Sequence, residues 1–279
     1  MRAALHFSKY HALGNAYLVL PGMPVGARVE QVLAPYLCDW RIGIGSDGVL
    51  VGPLPSSAAD FRVRIFNPDG GEAEKSGNGL RIFARYLWDK GLVTDVRFTI
   101  ETAGGVVTAQ VLEAGKQVQV DMGRVVFRAA DDEPILERVH LADVELRICS
   151  VSIGNPHCVV LMPNPTEATA RRIGPLLETH PLFPGRTNVQ FMEALDMDNI
   201  RIEIWERGAG YTFASGTSSC AAAAVAYRLG LVRDLVTVHM RGGAVSIALD
   251  ESYRAVMKGP VIHICDGTAS LDGLPGARG

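Results

Sequence analysis

No stretch of this 279-residue chain is apolar for long enough to cross a membrane as a helix. The longest run of small apolar residues, from Cys220 through Ala226 to Val232, is interrupted by Arg228. It also falls short of the roughly 20 residues a span requires. The opening residues lack the charged-then-apolar pattern of a secretory leader, because His6, Lys9 and His11 interrupt them. There is no Gly-Lys-Ser/Thr phosphate loop, no run with metal-ligand spacing, and no lysine in a context that marks pyridoxal phosphate. Five cysteines (Cys38, Cys149, Cys158, Cys220, Cys265) are odd in number and follow no motif spacing. They read as reduced, mostly buried thiols of a cytoplasmic protein. A net charge of −3 gives no reason to expect nucleic acid or an anionic membrane as partner. The composition, 48% hydrophobic and 20% charged with 30 glycines, is that of a soluble globular protein with many turns. Its length allows two domains of ordinary size, each with its own core.

What the chain does contain is a repeat. Arg62-Val63-Arg64-Ile65-Phe66-Asn67 recurs as Arg201-Ile202-Glu203-Ile204-Trp205-Glu206, each position shifted by 139. The same shift carries Gly71 to Gly210, Ser76-Gly77 to Ser215-Gly216, and Gly91-Leu92-Val93 to Gly230-Leu231-Val232. Gly14-Asn15 matches Gly154-Asn155 upstream, and Gly104 to Val107 matches Gly242 to Val245 downstream, with drifts of one residue. Matches in order over this length predict two copies of one domain related by a pseudo-two-fold.

Each copy reads alike. A strand with period-two alternation (Phe61 to Phe66, Ile200 to Trp205) leads into a Gly-rich turn, then a serine, then a helix. In the first helix Leu80, Phe83, Ala84, Leu87 and Trp88 fall at helical spacing. The second, Ser219 to Leu229, is nearly all Ala and Val and suits burial on every side. Gly91 and Gly230 mark the helix ends. Two strands joined by a Gly-Gly turn follow in each copy: Arg97 to Thr102 with Val106 to Val111, and Val236 to Met240 with Val245 to Leu249. The expected class is α+β: two pseudo-symmetric domains, each an antiparallel β-barrel around a central helix. Expected boundaries are 1–128, with a strand near 260–267 completing that domain, and 149–259. Residues 129–148 are expected as an acidic, irregular linker and 268–279 as a flexible tail.

The chemistry lies at the two serine–helix junctions. A helix N-terminus offers unpaired N–H groups and a partial positive charge, and glycine lets a ligand approach the backbone closely. Ser76-Gly77-Asn78-Gly79 and Ser215-Gly216-Thr217-Ser218 are both such ends. Two of them aimed at one point would bind a carboxylate and stabilise charge on a neighbouring carbon that loses a proton. One side chain from each half would then flank that carbon, the arrangement needed to invert a stereocentre. The plainer reading is that serine before a helix is the commonest N-cap; only the pairing raises these two above it. Asn67, Asn155 and Asn188 are candidates against a background of ordinary turn chemistry. Arg207 is either a carboxylate clamp or half of an ion pair with Glu206, and His157 is either a base or a satisfied structural imidazole.

These residues resemble the diaminopimelate epimerase family almost end to end. His11-Ala12-Leu13-Gly14-Asn15 and Gly43-Ile44-Gly45-Ser46-Asp47-Gly48 look like its opening motifs. Asn67-Pro68-Asp69-Gly70 with Ser76-Gly77-Asn78-Gly79 looks like its first active-site loop. Gly154-Asn155-Pro156-His157, Thr187-Asn188-Val189 and Glu206-Arg207-Gly208-Ala209-Gly210 match the rest. The resemblance implies a cofactor-free epimerase interconverting LL- and meso-diaminopimelate for lysine and peptidoglycan synthesis. It implies that Asn67, Asn155, Asn188 and Arg207 hold the distal amino-acid end of the substrate, with Asn15 beside them. Gly77, Asn78, Gly216 and Thr217 would bind the carboxylate at the reacting carbon, and His157 and Glu206 would support the site. No metal is expected, and a homodimer is the default assembly.

The departures fall on the chemistry. The family's two proton carriers are cysteines; Ser76 and Ser215 stand at both positions. Tyr211 replaces a glutamate and Ala16 an aspartate. A hydroxyl is a far weaker acid than a thiol. Cys220 lies five residues into the second helix and is no substitute. Four readings stay open: an epimerase, a lyase or isomerase acting on a related amino acid, a silent amino-acid binder, or a chain with two Cys→Ser substitutions made to trap a ligand.

Overall fold

The computed structural model describes residues 4–22, 32–94, 96–128, 136–141 and 144–270. The chain begins with β1 (Ala4–Ala12), β2 (Asn15–Leu20), α1 (Ala34–Cys38), β3 (Val49–Leu54), β4 (Phe61–Phe66) and β5 (Glu72–Ala73). It continues with α2 (Gly77–Asp89), β6 (Phe98–Thr102), β7 (Gly105–Leu112), β8 (Gln117–Arg124), β9 (Val126–Phe127), β10 (Glu137–Leu141), β11 (Val144–Ser152) and β12 (Pro156–Leu161). Then come α3 (Glu167–Glu178), β13 (Asn188–Asp196), β14 (Asn199–Glu206), β15 (Gly210–Thr212), α4 (Gly216–Arg228), β16 (Leu235–Met240), β17 (Gly243–Leu249), β18 (Arg254–Pro260) and β19 (Ile262–Ser270). Two compact units result: residues up to 120 with those from 259 onward, and residues 121–258.

In the first unit β1 turns into β2 through Leu13 and Gly14, both at positive φ. β19 adds to the other edge of β1, Ala4 opposite Ser270. β3 runs parallel to β2 and antiparallel to β4; β4 pairs antiparallel with β5 and parallel with β6. One cluster of this unit's core gathers Leu18, Leu20, Leu37, Val49, Val51 and Phe66. α2 buries Leu80, Phe83, Ala84 and Leu87 as its spacing predicts. It ends where Gly91 turns left-handed (φ +68°), letting Gly91 N–H reach Trp88 O and Leu92 N–H reach Leu87 O.

The second unit repeats this order of ladders. β14 pairs antiparallel with β15 and parallel with β16, and β16 pairs antiparallel with β17. α4 closes with the same pair of bonds, Gly230 N–H to Tyr227 O and Leu231 N–H to Ala226 O. Every residue from Cys220 to Ala226 is fully buried; with side chains no larger than valine, the strands can close on this helix from all sides.

Several expectations need correcting. The units are not wholly antiparallel: β2–β3, β4–β6, β12–β13 and β14–β16 are parallel. All four of these pairs have a helix between their strands, and a strand that returns after a helical crossover arrives parallel. α4 begins at Gly216, three residues before the expected start, directly after its N-cap Ser215. The segment expected as an irregular linker contains β10 and the start of β11, an antiparallel hairpin that buries Val139 and Leu146; the surrounding acidic residues hide that alternation in the sequence. The first unit hands over at residue 121, before the expected boundary at 128. Of the expected tail, residues 268–270 belong to β19, and 271–279 lie outside the described residues. No helix among the described residues is long and apolar enough to cross a membrane.

Candidate active site

In the first unit, β4 delivers the chain to a tight turn in which Asn67 N–H donates to Gly71 O and Gly70 N–H donates to Asn67 O. Asn67 is therefore fixed through its backbone and lies exposed at the strand end. Nine residues after Asn67, Ser76 adopts extended backbone angles (φ −137°, ψ 117°) and caps α2, its Oγ accepting the Gly79 N–H at 3.1 Å. Gly77, Asn78 and Gly79 are buried behind it. Asn78 Nδ2 donates to Asn15 Oδ1 at 3.0 Å, and Asn78 Oδ1 accepts from Arg81 Nη2 at 2.8 Å. Arg81 is wholly buried. A full positive charge beneath the first turn adds to the helix's own N-terminal field, so this end favours an anion for two independent reasons. The structure thus brings Asn15, Ser76, Gly77 and Asn78 together. It also places Tyr17 beside them, with its hydroxyl 3.2 Å from Ser76 Oγ. The sequence did not single out Tyr17.

The second unit builds its helix end differently. Ser215 has the same extended backbone (φ −145°, ψ 124°), yet its side chain makes no capping bond. It is 5% exposed. Its carbonyl instead accepts both the N–H and the Oγ–H of Ser219. Two serines that are equivalent in sequence therefore differ in the work their hydroxyls do. Gly216 is buried and Thr217 half-buried at the first turn.

Around this end lies a chain of amides. His157 Nε2 meets Asn155 Oδ1 at 3.0 Å. Asn188 Nδ2 donates to Pro156 O at 2.9 Å, and Asn188 Oδ1 accepts the Arg207 N–H at 3.0 Å. The parallel β12–β13 ladder makes this possible by setting His157 opposite Asn188. Arg207 itself is exposed and donates Nη1 to Gly185 O. Glu206 closes β14 half-buried, opposite Gly210. Deeper in, Gln190 Nε2 donates to Ser218 Oγ at 3.0 Å, tying the strand to the first turn of α4.

His157 is 1% exposed. Burial, with the Arg207 charge adding to it, pushes its pKa down to about 3 against the contrary pull of the nearby Gln190 side chain. Of the two readings the sequence left open, burial favours the structural imidazole, neutral near pH 7. The sign of its stability effect follows. The unfolded chain takes up the proton below about pH 6.5, whereas the folded chain resists until about pH 3. The contribution is complete above the unfolded value and is lost as pH falls. Between about pH 6 and 4 this one group should add a slope approaching about 1.4 kcal/mol per pH unit. Urea titrations across that range should show the slope in the parent and its reduction in His157→Gln. Equal slopes in both would contradict the burial argument.

A residue the sequence did not single out organises the β14–β15 turn. The Glu178 carboxylate receives Trp205 Nε1 at 2.7 Å, the Gly208 N–H at 3.0 Å and the Arg186 guanidinium. Burial raises its pKa, but these bonds outweigh that and hold it below the usual carboxylate range. The backbone on either side of Arg207 is therefore anchored from α3. Tyr211, where the resemblance calls for a glutamate, donates to Glu203 at 2.6 Å under the Arg171 guanidinium.

The family model described as Diaminopimelate epimerase matches residues 7–128 and 149–264. The chain is 50% identical over 275 residues to "Diaminopimelate epimerase 2" of Nostoc sp., with 96% of each chain covered. It is 40% identical over 285 residues to the diaminopimelate epimerase of Moorella thermoacetica, covering 96% of this chain and all of that one. Among solved structures it is similar to a hydroxyproline epimerase from Agrobacterium vitis, with a TM-score of 0.74 at 18% identity, covering 98% and 94% of the two chains. That likeness speaks for the fold alone: mixed α/β, a large amount of sheet and few helices. The sequence identities and the family match, each spanning most of the chain, place this protein in the diaminopimelate epimerase family.

Proposed function

We propose that this protein is a pyridoxal-independent isomerase that interconverts LL- and meso-diaminopimelate by removing and returning the proton at one Cα. The observation that carries the reading is the near-complete coverage by relatives of that name at 40–50% identity. The retained Asn/Asn/Asn/Arg set supports it at the level of residues. In this reading the chain is two copies of one barrel, each wrapped on its own helix (α2 or α4). Each copy supplies one Ser-Gly helix end. The amides at Gly77-Asn78 and Gly216-Thr217 bind the carboxylate next to the reacting carbon. Charge that develops there as the proton leaves is spread onto those amides. Asn67, Asn155, Asn188 and Arg207, with Asn15, hold the distal amino-acid end. His157 and Glu206 support the site, with His157 acting as a neutral positioning group. Inversion needs a proton carrier for each face of the carbon, and Ser76 and Ser215 are the candidates, one per unit. A cytoplasmic, homodimeric protein without cofactor or metal fits the same reading.

A second reading is favoured by one specific observation, hydroxyls at both carrier positions: a chain that keeps the amino-acid pocket and binds without turnover, or that eliminates or isomerises a related amino acid from one side. Incubation with LL-diaminopimelate in D₂O, followed by NMR, separates them. Deuterium entry at Cα with formation of the meso form is the expected result. Exchange without inversion, or release of ammonia or water, points to the one-sided enzyme. Calorimetric binding with no exchange points to the binder.

A further inference from the structure

We propose that Tyr17 is the proton-accepting partner of Ser76, so that a tyrosine–serine hydroxyl pair replaces the single thiol at this carrier position. This rests on the proton-transfer reading above and deepens it by assigning a residue that neither the repeat nor the family resemblance assigns.

The need comes from the chemistry of serine. A hydroxyl carries one proton and two acceptor lone pairs. To take a proton from carbon it must shed its own, and a lone aliphatic hydroxyl has nowhere to put it. At Ser76 one lone pair is committed to the Gly79 N–H, at 3.1 Å. Tyr17 Oη lies 3.2 Å from the same oxygen, and either atom can donate. When Ser76 donates to Tyr17, the second lone pair of Ser76 is left for the substrate. A phenol ordinarily ionises near pH 10, within reach of an enzyme, unlike an alcohol.

The surroundings hold the Tyr17 ring in place. The residues on both sides of it are tied to the Gly43–Gly48 segment. Ala16 N–H donates to Asp47 Oδ2 at 2.7 Å, Asp47 N–H donates to Ala16 O at 2.8 Å, and Leu18 N–H donates to Gly48 O at 3.1 Å. Gly48 presses flat against the ring: a Cβ there would stand 2.4 Å from Tyr17 Cε1 and 2.8 Å from Phe66 O. The ring is 6% exposed. This gives the glycine-rich Gly43–Gly48 motif a physical task within the unit, namely to position the Tyr17 hydroxyl against the cap of α2. The Ser215 side chain, by contrast, makes no capping bond.

The step balances as follows. The Cα–H bond of the substrate breaks and its proton passes to Ser76 Oγ. The Ser76 O–H proton passes at the same time to the Tyr17 phenolate. The electron pair stays on the substrate carbon, conjugated with its carboxylate. One negative charge moves from phenolate to substrate, and the reverse transfer returns the proton and restores the phenolate.

The test is Tyr17→Phe, which keeps the ring against Gly48 and removes only the hydroxyl. Steady-state rates and Cα deuterium exchange are measured with LL- and meso-diaminopimelate between about pH 6 and 10. Expected is a fall in kcat of at least about 100-fold, with KM within about twofold, and loss of the alkaline rise in rate. In a Ser76→Cys background, where the thiol ionises by itself, the same Tyr17→Phe change should cost less than about threefold. An equal loss in both backgrounds would assign Tyr17 to structure alone. Exchange by the parent that Tyr17→Phe leaves intact, with an unchanged pH profile, overturns the pairing but not the epimerase reading. No exchange by the parent overturns the pairing; if the Ser76→Cys, Ser215→Cys protein is silent as well, the epimerase reading falls with it.

Discussion

Restoring thiols at both carrier positions, Ser76→Cys together with Ser215→Cys, should raise Cα proton exchange on diaminopimelate by at least about 100-fold near pH 8. A thiol ordinarily ionises near 8.5, and the N-terminus of a helix lowers that further by favouring the thiolate. Burial works the other way. Within this chain it pushes the Cys149 thiol up to about 12, and Cys158, fully enclosed, is raised as well. Neither of these cysteines sits at a helix end; both lie in strands. The two new thiols would differ in which effect wins. At 76 the position is half-buried and stands over the first turn of α2 with the Arg81 charge close beneath, so the helix end dominates. At 215 the position is 5% exposed, and desolvation claims back part of the gain. The single Ser76→Cys change should therefore supply the larger share. Rates measured for both single variants and the double variant decide the matter: an unchanged rate in the double variant would show that serine identity is not what limits turnover. A larger gain from Ser215→Cys alone would show that the local argument about burial is wrong.

The sequence made some of this site legible because identical local devices were used twice. Ser76 and Ser215, Gly91 and Gly230, and the strand pairs around the Gly-Gly turns announce themselves by a shift constant to within one residue, and all are set by local chemistry: a helix start, a left-handed turn, a two-fold alternation. What stayed hidden depends on contacts far apart in the chain. Tyr17 reads as one more apolar strand residue, and nothing local tells that its hydroxyl meets a serine 59 positions later. Glu178 ends α3, which none of the matched repeat segments covers, so its bonds to Trp205 and Gly208 have no sequence signature. The parallel ladders were missed for a related reason. Alternation in β4 and β14 reports that one face is buried, but the direction of the neighbour depends on the crossover between them. The hairpin of β10 and β11 was obscured because acidic residues around it mask buried positions such as Val139 and Leu146. The non-equivalence of the two serines could not be read at all, since the same residue with nearly the same backbone angles makes a capping bond in one unit and none in the other.

The largest stability effect is expected at Gly174, in the middle of α3. A Cβ built there would stand 2.5 Å from Cγ and 2.6 Å from Cβ of Trp205 on β14. Real carbon atoms do not approach so closely, and a tryptophan root cannot swing away as a flexible side-chain tip would. Its indole is also held at the far end, where Nε1 donates to Glu178 Oε2. Gly→Ala in a helix interior ordinarily stabilises by up to about 1 kcal/mol. Overpacking of a fixed aromatic costs about 1–3 kcal/mol and occasionally more. Overpacking should win here, so Gly174→Ala should destabilise the second unit by about 2 kcal/mol and Gly174→Val by more. For a chain of this size each kcal/mol lowers the melting temperature by about 2–4 °C. The damage should also reach the candidate site, because Glu178 accepts the Gly208 N–H as well. If α3 is forced off β14, the turn bearing Arg207 loses its anchor, and KM for a substrate whose distal end Arg207 grips should rise before kcat falls. Gly185 supplies the control: nothing lies within 4 Å of a Cβ built there, so Gly185→Ala should leave both melting temperature and KM unchanged. A Gly174→Ala protein as stable as the parent, or one destabilised with an unchanged KM, would sever the proposed link between the α3 packing and the Arg207 turn.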